Sequence, residues 1–288
     1  MPVVNKRRAR LGRKLRFLRE RTGRSIQDVA RAISISSRTI LRWEEGDMTK
    51  PVEAQILRLV RELGVDDPLE LHKIRTLVFE ARLPAWWECD TYTDAITPAY
   101  AVYLSQEEDS EEMRTWEPSL IPGLLQTRRY LEALMDRHQP PLNPPQRAAR
   151  LALRFERQRR FLCGDQRLSL LWAILDETAI RRLVGGRQTM HEQIRHLITC
   201  SELPNVNLQI TPFNSGATAT AEPFVIFSSR NPLDSETVSI ELTREPLWYE
   251  DRDSVTYYQN LFTSVMRDSL DTESSRSFLQ EWADKLKG

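Results

Sequence analysis

The sequence predicts a two-part chain: an all-α N-terminal domain of five helices over residues 1–80, then an α+β domain over 81–288 with a mainly antiparallel sheet. Three observations carry this. Apolar residues recur at helical spacing from Leu11 to Val78, β-branched and aromatic runs that read as strands begin only at residue 168, and the charge divides with them. Residues 1–64 hold 16 Lys and Arg against 7 Asp and Glu, whereas the remainder holds 25 against 34. The 288-residue chain is formally neutral only as the sum of a +9 segment and a −9 segment. Such asymmetry marks modules with different partners, and a basic module is the footprint of something that meets phosphate.

In the first helix Leu11, Leu15 and Leu18 form an i, i+4, i+7 stripe with arginines on the other face, and Gly23 stops it. Ser25 reads as the N-cap of a short second helix, with Asp28 at its third position and Val29, Ala30 and Ile33 facing inward. Ser34 and Ile35 make a tight connection. Ser36 or Ser37 caps a third helix running to about Glu45, which Gly46 and Asp47 end. Pro51 opens a fourth helix carrying Ile56, Leu57, Val60 and Leu63, closed by Gly64. A fifth begins after Asp67 and Pro68 and carries Leu71, Ile74, Leu77 and Val78.

From Pro84 the texture changes. Residues 84–104 are rich in aromatics, among them Trp86, Trp87, Tyr92, Tyr100 and Tyr103, and an acidic run follows at 107–112. Helices are expected over 125–138, 145–163, 188–202, 253–267 and 272–286, and strands over 168–175, 206–213, 223–229, 237–242 and 247–250. Pro122–Gly123 reads as a turn, Gly185–Gly186 as a site of positive backbone angle, and Glu177 or Thr178 as a helix cap. The arginines of 147–160 line a helix whose apolar stripe includes Leu151, Phe155 and Leu162; they form a solvated face or a dock for an acidic partner.

Two short helices, a tight turn and a basic third helix match the helix-turn-helix arrangement. Ala30 lies where the helices come closest, Ser34 takes a turn position usually given to glycine, and Ile40 follows Ala30 by the ten residues this packing requires. The stretch LRERTGRSIQDVARAISISSRTILRWEEG (18–46) resembles the Cro/phage-repressor type, also called the xenobiotic-response-element family. The resemblance implies a structural ion pair between Arg19 and Glu44, which removes both from the reading surface. That family often grips phosphate with a glutamine at the start of the second helix; here Ile26 holds the place and Gln27 follows. On the outward face of the third helix, Ser37, Arg38 and Arg42 are expected to read bases, and Leu41 to meet a thymine methyl group. Arg13, Arg24, Thr39 and Lys50 are phosphate candidates, and Lys6, Arg7, Arg8 and Arg10 a mobile arm along the backbone or minor groove.

In the second part, Trp86–Trp87, WEPSLIPGLLQT (116–127), LDETAIRRLVGG (175–186) and PNVNLQITPF (204–213) together resemble the domain of actinobacterial antitoxin-like transcriptional regulators; Ser110 replaces the usual alanine. That resemblance implies a regulator often encoded beside a small partner protein. Catalysis has little support: Asp176 and Glu177 are neighbours that do not converge, His191 and His196 are five apart, and no nucleophile elbow or metal motif occurs. Cys89, Cys163 and Cys200 form no CxxC pair, and no apolar run approaches the length of a membrane span or a signal-peptide core. The expectation is a cytoplasmic, homodimeric, DNA-binding transcriptional regulator. It would be a repressor on a palindromic double-stranded operator, with no enzyme activity, cofactor, metal or membrane contact. Its second domain would bind a small protein or mediate assembly. The alternatives are an antitoxin-like protein that restrains a small partner and a sensor with a small-molecule pocket.

Overall fold

The computed structural model describes residues 5–48, 50–164, 168–216, 222–231, 234–242 and 245–287. Two compact units result, one of residues up to Glu88 together with Tyr100–Ser105, the other of Cys89–Ala99 and the chain from Gln106 onward.

The first unit contains α1 (Lys6–Arg21), α2 (Ile26–Ala32), α3 (Ser37–Glu44), α4 (Glu53–Glu62) and α5 (Pro68–Arg82). Asn5, Ser25, Ser36 and Asp67 start four of these helices. Each accepts a hydrogen bond from the N–H three residues on, a donor that the first helical turn leaves open. The fourth helix begins at Glu53 rather than Pro51, with Val52 as an N-cap that makes no side-chain bond. The inward stripes of all five helices merge into one core, in which Leu11, Leu15, Val29, Ile33, Ile40, Ile56, Val60, Ile74 and Val78 are buried. The aromatic-rich stretch holds a short 3-10 helix at Asp90–Ala95 and then α6 (Pro98–Asp109), a helix outside the expected set. Trp86 and Trp87 meet edge to face, with ring centroids 5.6 Å apart.

The second unit carries β1 (Ser110–Glu117), α7 (Arg128–Met135), α8 (Pro144–Gln158), β2 (Leu170–Asp176), α9 (Glu177–Arg181), α10 (Arg187–Cys200), β3 (Val206–Thr211), β4 (Phe224–Ser229), β5 (Thr237–Ile240), β6 (Leu247–Tyr249), α11 (Arg252–Asp268) and α12 (Thr272–Lys287). The strands form one sheet in the order β3-β2-β1-β4-β5-β6. β1 pairs parallel with β2 and β2 with β3, while β1, β4, β5 and β6 pair antiparallel in succession. The expected mainly antiparallel sheet is therefore corrected to a mixed one. Connections decide this: the helices after β1 and β2 give the chain room to return and start the next strand in the same direction, whereas the short link between β4 and β5 does not.

The central strand β1 lies outside the expected strands. Its sequence SEEMRTWE is mostly polar, because neighbours inside the sheet neutralise those groups: Arg114 pairs with Glu236, and Thr115 Oγ1 donates to Glu117. On one face of the sheet Trp116, Ile174, Phe224, Ile226, Val238 and Ile240 pack against Val255, Phe262 and Val265 of α11. In α8 the buried residues are Ala149, Leu153 and Arg157, a different face from the expected Leu151–Phe155 stripe. Arg157 is no solvated arginine: its Nε and Nη2 each lie 2.6 Å from an oxygen of buried Glu107. Asp176, rather than Glu177 or Thr178, caps α9, and Gly185 and Gly186 have φ of 70° and 90°.

Candidate nucleic-acid interface

Helix α3 is held from within and bare on its outside. Ile40, Trp43 and Glu44 are buried against the core, whereas Arg38, Leu41 and Arg42 are exposed and Ser37 is half-exposed. The four outward residues follow i, i+1, i+4, i+5, one helical face.

The turn before α3 sets its direction. Ser34 has φ +53°, and the Ile35 N–H reaches back to Ala30 O at 3.0 Å, closing α2 with a left-handed residue where glycine is usual. Ser36 then caps α3, its Oγ 3.1 Å from the Thr39 N–H and 2.7 Å from Thr39 Oγ1.

At the other end Arg19 grips Glu44 with Nε at 2.6 Å and Nη2 at 2.8 Å, and its Nη1 donates to Arg24 O at 3.2 Å. One guanidinium thus ties α1 to the last residue of α3 and to the approach to α2. A carboxylate at a helix C-terminus opposes the helix dipole, and Arg19 offsets that as well as burial. The bond to Glu44 pushes the Arg19 pKa up. Sequence reasoning missed Gly12, which lets α1 lie directly on this end: a Cβ there would sit 2.6 Å from Trp43 O and 2.7 Å from Glu44 O. Its only signal in the sequence is a glycine inside an otherwise regular helical stripe.

Asp47 was also missed as a partner of the reading face. Arg42 Nε donates to Asp47 Oδ2 at 2.8 Å, and each group shifts the other toward its charged form. Arg38 makes no hydrogen bond or ion pair with a described residue other than the helical bonds of its own backbone.

The phosphate candidates are not equivalent. Arg13 and Lys50 are exposed, whereas Arg24 donates to Glu62 O at 3.0 Å and Glu62 Oε1 at 2.9 Å, and Thr39 is engaged with Ser36. Gln27 is exposed, and Ile26 packs against the core. The mobile-arm expectation is corrected. Lys6, Arg7, Arg8 and Arg10 form the first turns of α1, because Asn5 caps the helix and Lys6 N–H donates to Ser105 Oγ at 2.8 Å. Arg8 turns inward, with Nε 3.4 Å from Ala81 O and Nη2 3.9 Å from Glu88.

In the second unit the adjacent acids are committed to structure. Asp176 Oδ1 accepts from the Thr178 N–H at 2.7 Å; Glu177 pairs with Arg181 and accepts from the Phe213 N–H at 2.7 Å. Among the described residues no group of three or more His, Cys, Asp or Glu could hold a metal ion, and no helix is long and apolar enough to cross a membrane.

A bare basic helix locked over a tight turn, on a unit separate from a mixed α/β unit, defines a helix-turn-helix protein. Residues 10–72 match a helix-turn-helix domain, which supports a DNA-binding regulator. Residues 100–281 match the domain of unknown function DUF5753, well over half of the chain, and the chain belongs to that family. No curated protein and no solved structure gives a match.

Proposed function

We propose that the protein is a sequence-specific transcriptional regulator, acting as a repressor, that places α3 in the major groove of operator DNA. Ser37, Arg38 and Arg42 read base edges there, and Leu41 meets a thymine methyl group. Arg13 and Lys50 lie on phosphates, with Thr39 and, after release from Glu62, Arg24. The observation that carries this reading is the contrast across α3, whose inner face is buried and ion-paired while its outer face presents two arginines to solvent. A single module of this size binds weakly, so the protein works as a homodimer on two half-sites about one helical turn apart. The second domain provides assembly or contact with a small protein partner, and the protein has no catalytic role.

Binding-site selection with the full-length chain, followed by footprinting on the selected site, tests this. A palindromic footprint whose affinity falls steeply with salt supports it. Arg38→Ala with Arg42→Ala should remove the sequence preference while leaving the fold intact; unaffected specific binding would reject these base contacts.

A further inference from the structure

Helix α5 leaves one side uncovered. Ile74, Val78 and Ala81 are buried in the core, and Leu71 and Leu77 pack against it. On the opposite side Leu69, His72, Thr76, Phe79 and the C-cap Leu83 are exposed, Leu69 by 61% and Phe79 by 65%. Steps of three, four, three and four residues keep these side chains in one row, the a/d seam by which one helix meets another. Apolar residues scattered singly over a surface need no explanation, but a phenylalanine and two leucines aligned on one helix face mark a contact surface. Phe17 of α1 extends it. Lys14 Nζ lies 3.0 Å from Glu70 Oε2 and 5.9 Å from the centroid of the Phe17 ring, so this 55% exposed ring borders the Leu69 end of the row.

The charges beside the row indicate what covers it. On one flank Lys73 and Glu80 stand two helical turns apart and carry opposite signs. Two copies of α5 laid antiparallel about a two-fold axis bring Lys73 of each beside Glu80 of the other, so the flank is complementary to itself. Within the chain Lys73 Nζ meets Glu70 Oε1 at 2.8 Å, a carboxylate that it shares with Lys14, whereas the Glu80 carboxylate makes no ion pair with a described residue. On the other flank Arg75 is already matched by Glu53 at 3.4 Å, which leaves Arg82 in water at the helix end.

We propose that this face of α5 is the dimer contact, and that a second copy of the chain packs its own α5 antiparallel against it. The proposal rests on the homodimer reading above and names the surface that forms the dimer. With Lys73 beside Glu80, Thr76 of one copy comes opposite Phe79 of the other and His72 opposite Leu83, so that small meets large across the seam. The 15 residues of α5 span about 22 Å. One helix pair of that length buries less than the about 1,200 Å² of a stable interface. The contact is therefore weak in free solution and tightens when two half-sites hold the copies side by side.

The test uses the full-length chain with the exposed Cys89 and Cys163 replaced by Ser. Thr76→Cys is cross-linked, without DNA, by a bismaleimide whose reach matches the about 8–10 Å between packed helix axes. Arg31→Cys, exposed on α2, is the control. Thr76→Cys should give a covalent dimer whose yield rises with concentration and exceeds that of the control several-fold. Phe79→Glu, added to Thr76→Cys, should abolish the cross-link while the helical circular dichroism is retained. Lys73→Glu and Glu80→Lys should each lower the yield about twofold, the scale of an exposed pair, and the double exchange should restore it. Equal yields at the two cysteines, cross-linking that survives Phe79→Glu, or a double exchange no better than the single ones overturns the proposal. Sedimentation of the same samples separates the two readings. A dimer that persists in Phe79→Glu keeps the homodimer and rejects this face, whereas a parent chain that stays monomeric at every concentration and on operator DNA rejects both.

Discussion

Arg42 and Asp47 are joined at 2.8 Å between Nε and Oδ2, so the turn that ends α3 supplies a carboxylate to the guanidinium on its exposed face. Both side chains are more than half exposed, and the pair contributes little to stability. Its value is geometric: a guanidinium held through Nε keeps its Nη1–Nη2 edge outside this bond, and such an edge can donate to a guanine O6/N7 pair.

Asp47→Ala should therefore alter recognition more than folding. The preference at one base position should relax by about tenfold, within the range of one bidentate contact, while affinity for unrelated DNA holds or rises as a negative charge leaves the surface. Parallel binding-site selection on both proteins measures this; identical site profiles would confine Asp47 to ending the helix.

Two backbone positions in the same unit should respond in opposite directions. Ser34 occupies a left-handed conformation without glycine's freedom, so Ser34→Gly should stabilise by about 1 kcal/mol. Gly12→Ala puts a methyl group on the carbonyl oxygens of Trp43 and Glu44 and should destabilise by about 1–3 kcal/mol. Urea denaturation of the two variants compares them directly, and a neutral Gly12→Ala would show that α1 can slide on α3.

Arg157 and Glu107 are 3% and 0% exposed, which makes theirs the most enclosed ion pair among those with described geometry. Arg157→Met leaves a buried carboxylate alone and should cost about 3–5 kcal/mol; adding Glu107→Leu should recover most of it. A double variant no more stable than the single one would mean that the pair's hydrogen bonds, rather than the stranded charge, hold α8 to α6.

Glu117 is one group that makes stability depend on pH. Burial and Glu241 raise its folded-state pKa above the ordinary 4.5, with Thr115 and Arg154 opposing less strongly. The native state then holds the proton more tightly than the unfolded chain. Its stabilising contribution is complete below pH 4.5 and is lost as the pH rises through the folded value. Glu117→Gln, neutral throughout, should match the parent near pH 4 and melt at a higher temperature at pH 8. Parallel melting curves at both pH values would assign no net desolvation cost to this carboxyl.

The N-terminal unit was legible in advance because its signals are local. Helical stripes such as Leu11, Leu15 and Leu18, caps such as Ser25 and Asp67, and the glycine-like turn at Ser34 act within a few residues of themselves. The approach of Arg19 to Glu44 followed from a resemblance that covers both helices. Gly12 and Asp47 escaped notice because each matters only through a residue brought to it by folding.

What the sequence by itself determined is the division into a basic helical unit and an acidic mixed unit, the positions of most helices and strands, and the face of α3 left bare. Only the tertiary structure decided that a polar segment, SEEMRTWE, would be the central strand, that the sheet would be mixed, and that Arg157 would be buried. It also decided that Glu117 and Glu241 would flank Pro223 on one face. Helix periodicity and capping are written into neighbouring residues. Strand order and charge pairing depend on residues tens of positions to more than a hundred apart, whose meeting no local pattern records.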